Sequence, residues 1–421
     1  METAKPQGLL ANKNVVYLLS AQLFSAIGDG IFLLAILALF GIQKEASPME
    51  MAYITLALGL PFVIFGPLTG VLADKFDRKK IMILSDLARF VLMLAVAVTN
   101  EAWLIYVLLF LKGVFESLFT PAKNGKLKEY VPNEQMDQIV SISTIIDYGS
   151  KIVGPAVGGV LVAATSIQLA FYLDAASFLI SAMFLMGLSK RTVPVETSQD
   201  KKDESFLLLF KNGLSFIRKT PALMYGAIAF SIAMLVLTLT DTQLVVLMRQ
   251  LSGVSMSLFG VVMGAIGLGT LAVAAMLSKA KIKGAILYMS LGCLGTGGAF
   301  FCITLFTKLQ LIGQWLWYPA FGLVGGCFAA LVFVPFQVMA QKLTPESYTS
   351  RVFGVIGSLS TFATIVGPLM GGVLIDLYGV FAIYYIVSGL LVLTSVLLAV
   401  LHMTDSRKKT EQVVMEGFDG R

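Results

Sequence analysis

The chain has 421 residues, 57% of them hydrophobic and only 13% charged, with a formal net charge of +6. Soluble domains average about 45–50% apolar and about 25% charged residues, so this composition excludes an ordinary soluble protein and points to an integral membrane protein. The positive charge then reads as a topology signal and not as a nucleic-acid footprint.

Apolar runs long enough to cross a hydrocarbon core of about 30 Å recur along the whole length, and twelve spans are predicted. Span one, 14–40, is too long for a signal-peptide core and lacks a small-residue cleavage site, so it is expected to be retained. It contains "AIGDG", a break where Gly28 and Gly30 flank Asp29. Span two, 51–73, carries Gly66 and Gly70 at GxxxG spacing, and span three, 80–99, carries Asp86 and Arg89. Span four, 102–121, holds Lys112 and Glu116 and ends at "FTP". Span five, 138–163, holds Asp147 and Lys151 and then "IVGPAVGGVL"; span six, 167–188, holds Asp174.

Residues 189–221 form the longest polar stretch and read as a linker. Within it "FLLLFKNGLSFIRKTP" places Phe210, Leu214 and Ile217 at i, i+4 and i+7, with Lys211, Arg218 and Lys219 elsewhere on the turn. This pattern predicts an amphipathic helix in the cytoplasmic interface. Spans seven to twelve follow at 222–247, 254–278, 284–306, 310–336, 351–375 and 379–402. Asp241 lies in span seven, Gly260 and Gly264 at GxxxG spacing in span eight, and residues 403–421 form a tail.

The decamer of span five returns as "IVGPLMGGVL" in span eleven, 213 residues later, and "FTP" returns as "FVP" at Phe333–Pro335. The predicted fold is therefore all-α: twelve transmembrane helices in two pseudo-symmetric six-helix bundles, 1–188 and 222–402. Because six is even, both bundles enter the membrane in the same orientation. In each decamer a proline, Pro155 or Pro368, removes a backbone donor and bends its helix. The glycines Gly154, Gly158 and Gly159, or Gly367, Gly371 and Gly372, let another backbone come close. Recurrence in both halves favours a hinge over ordinary small-residue packing.

With the N-terminus inside, 25 of the 31 Lys and Arg residues fall in cytoplasmic tails and loops, as basic residues should. Both termini are thus expected in the cytoplasm. Cys293, Cys302 and Cys327 all lie within spans and the single His402 has no metal-ligand spacing around it. No disulfide, metal or cofactor is expected.

This plan resembles the major facilitator superfamily. "GVLADKFDRK", Gly70–Lys79, is similar to its signature between spans two and three, with Asp77 where glycine is usual. "GPAVGG" resembles the motif of its proton-driven exporters, with Ser150 in place of the customary upstream glycine. "GDGIF", "TPA", "PESYTSRVFG" and the linker helix are similar to the macrolide-efflux-like branch of drug:proton antiporters. The resemblance implies that span five packs against span eight and span eleven against span two. It also implies a cytoplasmic gate built from Gly70, Asp74, Arg78 and Arg351, in which Asp74 meets the start of span eleven. Lys112, nine residues before Pro121, stands where related exporters often have arginine.

Nine charges fall within spans: Asp29, Asp86, Arg89, Lys112, Glu116, Asp147, Lys151, Asp174 and Asp241. Facing lipid they would cost on the order of 20 kcal/mol together, so they must face protein or water. Asp86 with Arg89 and Asp147 with Lys151 are spaced to pair locally, with a purely structural ion pair as the alternative. Lys112 and Glu116 have the less favourable order, which leaves Glu116 freer. Asp29 and Asp174 have no basic residue within four positions, so a proton is expected to bind there reversibly, with Asp29 the leading carrier and a cap or turn role its alternative. Lys112, Glu116, Asp147 and Lys151 complete the expected proton-coupling set. Asp241 and Asp29 are the expected substrate-cavity acids.

No nucleophile constellation or phosphate loop is visible, so the chain is not expected to be an enzyme. The leading expectation is a monomeric, proton-coupled exporter of small amphiphilic compounds, surrounded by membrane lipids in a bacterial cell membrane. The alternative is a lipid or lysophospholipid translocator, suggested by "GD" in span one and "PAKNG" after span four; a non-transporting scaffold is disfavoured by the intramembrane charges.

Overall fold

The computed structural model describes residues 12–132, 135–189, 206–251, 253–279, 284–345 and 348–419. Among them are fourteen α-helices and no strand: α1 (Lys13–Ala38), α2 (Pro48–Lys75), α3 (Arg78–Val98), α4 (Ala102–Tyr130), α5 (Met136–Ala164), α6 (Ile167–Met186), α7 (Phe206–Lys219), α8 (Pro221–Asp241), α9 (Leu244–Met248), α10 (Met256–Lys279), α11 (Ala285–Lys308), α12 (Gln314–Leu343), α13 (Thr349–Tyr378) and α14 (Val380–Asp419). Eleven are long and apolar enough to cross a membrane, and α5, 29 residues long, has the length of a twelfth span.

Local chemistry sets several of the boundaries. The Asn12 side chain caps α1 by accepting from the Asn14 amide at 3.1 Å. Asp77 caps α3 by accepting from Lys79 N at 2.9 Å, so a side-chain acceptor does there what a tight glycine turn would otherwise do. Pro221 opens α8 at its first turn, where the missing N–H costs nothing. Gly379 separates α13 from α14 with φ +84°, a conformation that L side chains rarely adopt.

Four boundaries differ from the sequence reading. The helix does not break at "AIGDG": α1 runs through it and then widens into a π-helical turn, Leu39–Gln43. Pro121 and Pro335 lie inside α4 and α12 instead of ending them, because neighbouring groups can satisfy what a proline frees in a membrane helix. Span seven divides at Thr242–Gln243 into α8 and the short α9. The tail continues the last span as helix to Asp419.

The chain divides into two compact units. The first comprises Met1–Ala46, Glu50–Lys201 and Val254–Gly264. In it α1 packs on α5 and α6, and α3 packs on α4 and α6, around a core that includes Leu18, Met82, Phe119 and Leu185. The second comprises Ser47–Met49, Lys202–Gly253 and Ala265–Arg421. In it α8 packs on α13 and α14, and α11 on α12 and α14. These are the same four pairings, counted by span, as in the first unit, so the sequence repeat is also a repeat of packing.

The second unit's core contains Phe230 stacked on Phe336 with centroids 4.1 Å apart. It also takes the apolar side of α7: Ile217 is buried, and Phe216 stacks on Tyr348 at 4.8 Å. The expected interfacial helix therefore spends these two residues on protein, while Lys211, Leu214, Arg218 and Lys219 are exposed.

Candidate functional site

Four helices of the first unit bring ionisable side chains together. On α1, Gln22, Ser25 and Asp29 occupy one face at i, i+3 and i+7; on α6, Asp174, Ser177, Phe178 and Ser181 do the same. Helical spacing turns each set into a polar stripe, and the stripes meet because α1 packs on α6.

Lys112 of α4 forms an ion pair with Asp29. The lysine side chain is 3% exposed and the aspartate 28%. The ammonium also lies 4.6 Å from the Phe32 ring centroid and 5.5 Å from that of Phe178, so aromatic faces support the charge where water is excluded. Asp29 has no basic residue within four positions on its own helix, and its partner stands 83 residues away, invisible to a search along one helix.

Asp86 and Arg89 pair within α3 at 0% and 2% exposure, in the local arrangement their spacing predicts. Ser181 donates to Asp86 Oδ2 at 2.6 Å. The Arg89 guanidinium carbon is 4.8 Å from the Phe119 centroid and 4.4 Å from that of Phe178. Phe178 therefore stands beside both cations.

Asp174 is fully buried, and among the described residues neither of its carboxylate oxygens has a hydrogen-bond partner. Asp29, Asp174 and Glu116 lie within electrostatic reach of both Lys112 and Arg89. Among the described residues, the three aspartates Asp29, Asp86 and Asp174 thus share these two cations. Burying unpaired charge is costly, so the cluster is chemically suited to taking up positive charge.

The whole chain, read against known families, matches the profile of the Major Facilitator Superfamily over residues 18–362 and 284–417. It belongs to the major facilitator superfamily. It is 39% identical over 385 residues to the uncharacterized MFS-type transporter YfiS of Bacillus subtilis (strain 168), covering 90% of this chain and 91% of that one. It is 24% identical over 392 residues to macrolide efflux protein A of Streptococcus pyogenes, covering 89% and 92%. The crystal structure of the nucleoside transporter NupG matches with a TM-score of 0.65 at 15% identity, covering 93% of this chain and 98% of that one. The protein is therefore an integral membrane transporter and not an enzyme. The lipid-translocator alternative finds no support in these relatives.

The other charges expected to act in this transporter lie elsewhere. Asp147 accepts from Gln22 Nε2 at 2.7 Å and stands 3.7 Å from Lys123 Nζ; the Lys151 side chain lies outside the described residues, so the expected pair between them is not described. In the superfamily signature, Arg78 donates to Glu129 Oε1 at 2.9 Å and is packed against Gly125. The Asp74 side chain lies outside the described residues, and no described atom comes within 4 Å of a Cβ built on Gly70. Arg351, in the second unit, lies over the Tyr348 ring at 5.4 Å, and its carbonyl is 2.4 Å from where a Cβ on Gly213 of α7 would stand. Asp241 is exposed at the end of α8, within electrostatic reach of Tyr384.

The decamer glycines have three different neighbours. A Cβ on Gly154 would lie 2.6 Å from Gly30 Cα, and one on Gly158 would lie 3.0 Å from Ile31 Cα, both on α1. Only Gly159 meets span eight, where its Cβ would lie 2.4 Å from Gly260 O. The span five–eight contact is present, but Gly158 is on its far side, because adjacent helical residues point about 100° apart. Gly367 and Gly371 meet Thr238 and Leu239 of α8, span seven of the same unit. Gly372 is buried, and the Pro155 side chain lies outside the described residues.

Sequence reasoning missed Phe32, Phe178, Ser181, Gln22, Lys123 and Glu129. The i, i+3, i+4, i+7 stripe on α6 was the available signal for two of them. The α1 stripe was the signal for Gln22; which helix each of these residues meets leaves no trace in local spacing.

Proposed function

We propose that this transporter is a secondary exporter that exchanges protons for small amphiphilic molecules, with the cluster of Asp29, Asp174, Glu116, Lys112, Asp86 and Arg89 as its proton-coupling site. The observation that carries the reading is Asp174, buried with no hydrogen-bond partner for either carboxylate oxygen among the described residues, beside the Asp29–Lys112 and Asp86–Arg89 ion pairs. The similarity to macrolide efflux protein A over most of the chain supports export of drug-like compounds.

In this mechanism a proton entering the cavity binds the Asp29 carboxylate, which neutralises it and frees the Lys112 ammonium. Lys112 then turns to Asp174, whose oxygens accept no hydrogen bond from the described residues. Release of the proton on the opposite side restores the original pair. Substrate access alternates as the two bundles, 1–188 and 222–402, rearrange around the hinge glycines, joined by linker 189–221. Both termini lie in the cytoplasm on the charge asymmetry of the loops, in a bacterial cell membrane, with the protein acting as a monomer.

The test is transport by the purified protein in liposomes, against a panel of dyes and antibiotics, with and without an imposed pH gradient. Uphill movement that requires the gradient, and proton movement on substrate addition, are expected. Substrate flux indifferent to the gradient overturns the coupling.

A further inference from the structure

Apart from the cluster, the first unit holds a cleft of about 220 Å³ between α4 and α5, lined by Thr120, Lys123, Asn124, Leu127, Val140, Ser143 and Asp147. Three buried side chains build it. Gln22 donates to Asp147 Oδ1 at 2.7 Å and to Ser143 O at 3.0 Å, Ser143 Oγ donates to Gln22 Oε1 at 2.9 Å, and Lys123 Nζ donates to Ser143 Oγ at 3.4 Å. We propose that this cleft binds the ammonium head group of a cationic amphiphile, with the Asp147 carboxylate as its counter-ion.

The sign of the ligand follows from which charge is accessible. The Lys123 side chain is 8% exposed and the Asp147 side chain 49%, so a ligand entering the cleft meets the carboxylate. One oxygen of that carboxylate is fixed by Gln22. The other stands 3.7 Å from Lys123, beyond hydrogen-bond distance, and keeps acceptor capacity for a second cation. Size limits the ligand further. Whole drug-sized molecules occupy pockets of about 300–1,000 Å³, so this cleft takes a head group and leaves the apolar body outside. Leu127 and Val140 supply an apolar wall for the methyl groups of an alkylated amine, and Asn124 and Thr120 are exposed polar groups at its rim.

The physiological meaning of this site rests on the exporter reading; its existence does not, and the experiment measures occupancy without transport. In the full-length protein with Cys293, Cys302 and Cys327 replaced by alanine, Asn124→Cys places a thiol at the rim. Its labelling by a neutral methanethiosulfonate is followed with and without choline, and with the uncharged isostere 3,3-dimethylbutan-1-ol, at matched ionic strength. Choline is expected to slow labelling saturably by about threefold or more, and the alcohol to do little, because the carboxylate attracts only the cation. Asp147→Asn should abolish the protection and Asp147→Glu should keep it, which separates lost charge from a disturbed fold. Equal protection by both compounds, or protection that survives Asp147→Asn, overturns the proposal. Protection by choline in a protein whose transport ignores the pH gradient would leave this site standing while removing the coupling mechanism.

Discussion

The Asp174 carboxylate rests against Gly28, the residue before Asp29: a Cβ on Gly28 would lie 2.7 Å from Asp174 Oδ1 and 2.1 Å from Ser177 Oγ. The glycine is therefore what allows the acid of α6 to reach the charged face of α1. Gly28→Ala should overpack this contact and destabilise the protein by about 1–3 kcal/mol, read as a lower Tm in detergent. Ser177→Gly in the same chain should recover part of the loss. An unchanged Tm in Gly28→Ala would mean that the helices separate here without cost.

The ion pair between Lys112 and Asp29 predicts an asymmetry. Asp29→Asn leaves Lys112 with Asp174 as a substitute partner, whereas Lys112→Gln leaves the fully buried Asp174 beside an unpaired Asp29. Removing one member of a buried pair costs about 3–5 kcal/mol, and Lys112→Gln should approach that range while Asp29→Asn stays well below it. Thermal unfolding of the two variants and of the double variant checks the order. In proteoliposomes Asp29→Asn should retain substrate binding and lose uphill export, with Asp174→Asn following the same pattern if Lys112 alternates between them.

Phe178 beside two cations makes a separate prediction for Arg89. Arg89→Lys keeps the charge but loses the planar group that lies near Phe119 and Phe178, so it should destabilise by about 1–2 kcal/mol. Ser181→Ala, which removes one donor to the buried Asp86 carboxylate, should cost about 1.5–3 kcal/mol. If either change is silent in thermal unfolding, the α3–α6 contact does not depend on that group.

The glycine neighbours discriminate between adjacent positions. Gly159 and Gly260 approach each other reciprocally, each Cβ position lying 2.4 Å from the other residue's carbonyl oxygen, whereas a Cβ on Gly264 meets nothing closer than 3.6 Å. Gly159→Ala and Gly260→Ala should each lower stability or transport, and Gly264→Ala should be close to neutral. Equal effects at all three would remove the close approach from the explanation.

The all-α membrane fold, eleven of the twelve predicted spans and the internal repeat were legible in the amino-acid order alone, because each follows from local hydrophobicity, helix length and internal similarity. The stripes Gln22–Ser25–Asp29 and Asp174–Ser177–Phe178–Ser181 were also written there, since helical period alone puts them on single faces. Which stripe meets which was decided by tertiary packing. Asp29 looked unpaired along its own helix and found Lys112 across the bundle; Asp147 is held by Gln22 of another helix. Likewise the two decamers are nearly identical strings, yet Gly159 meets Gly260 of α10 while Gly371 meets Leu239 of α8. A spacing rule reports the direction in which a side chain leaves its helix. The charge or backbone waiting there is set by how helices far apart in sequence share a core.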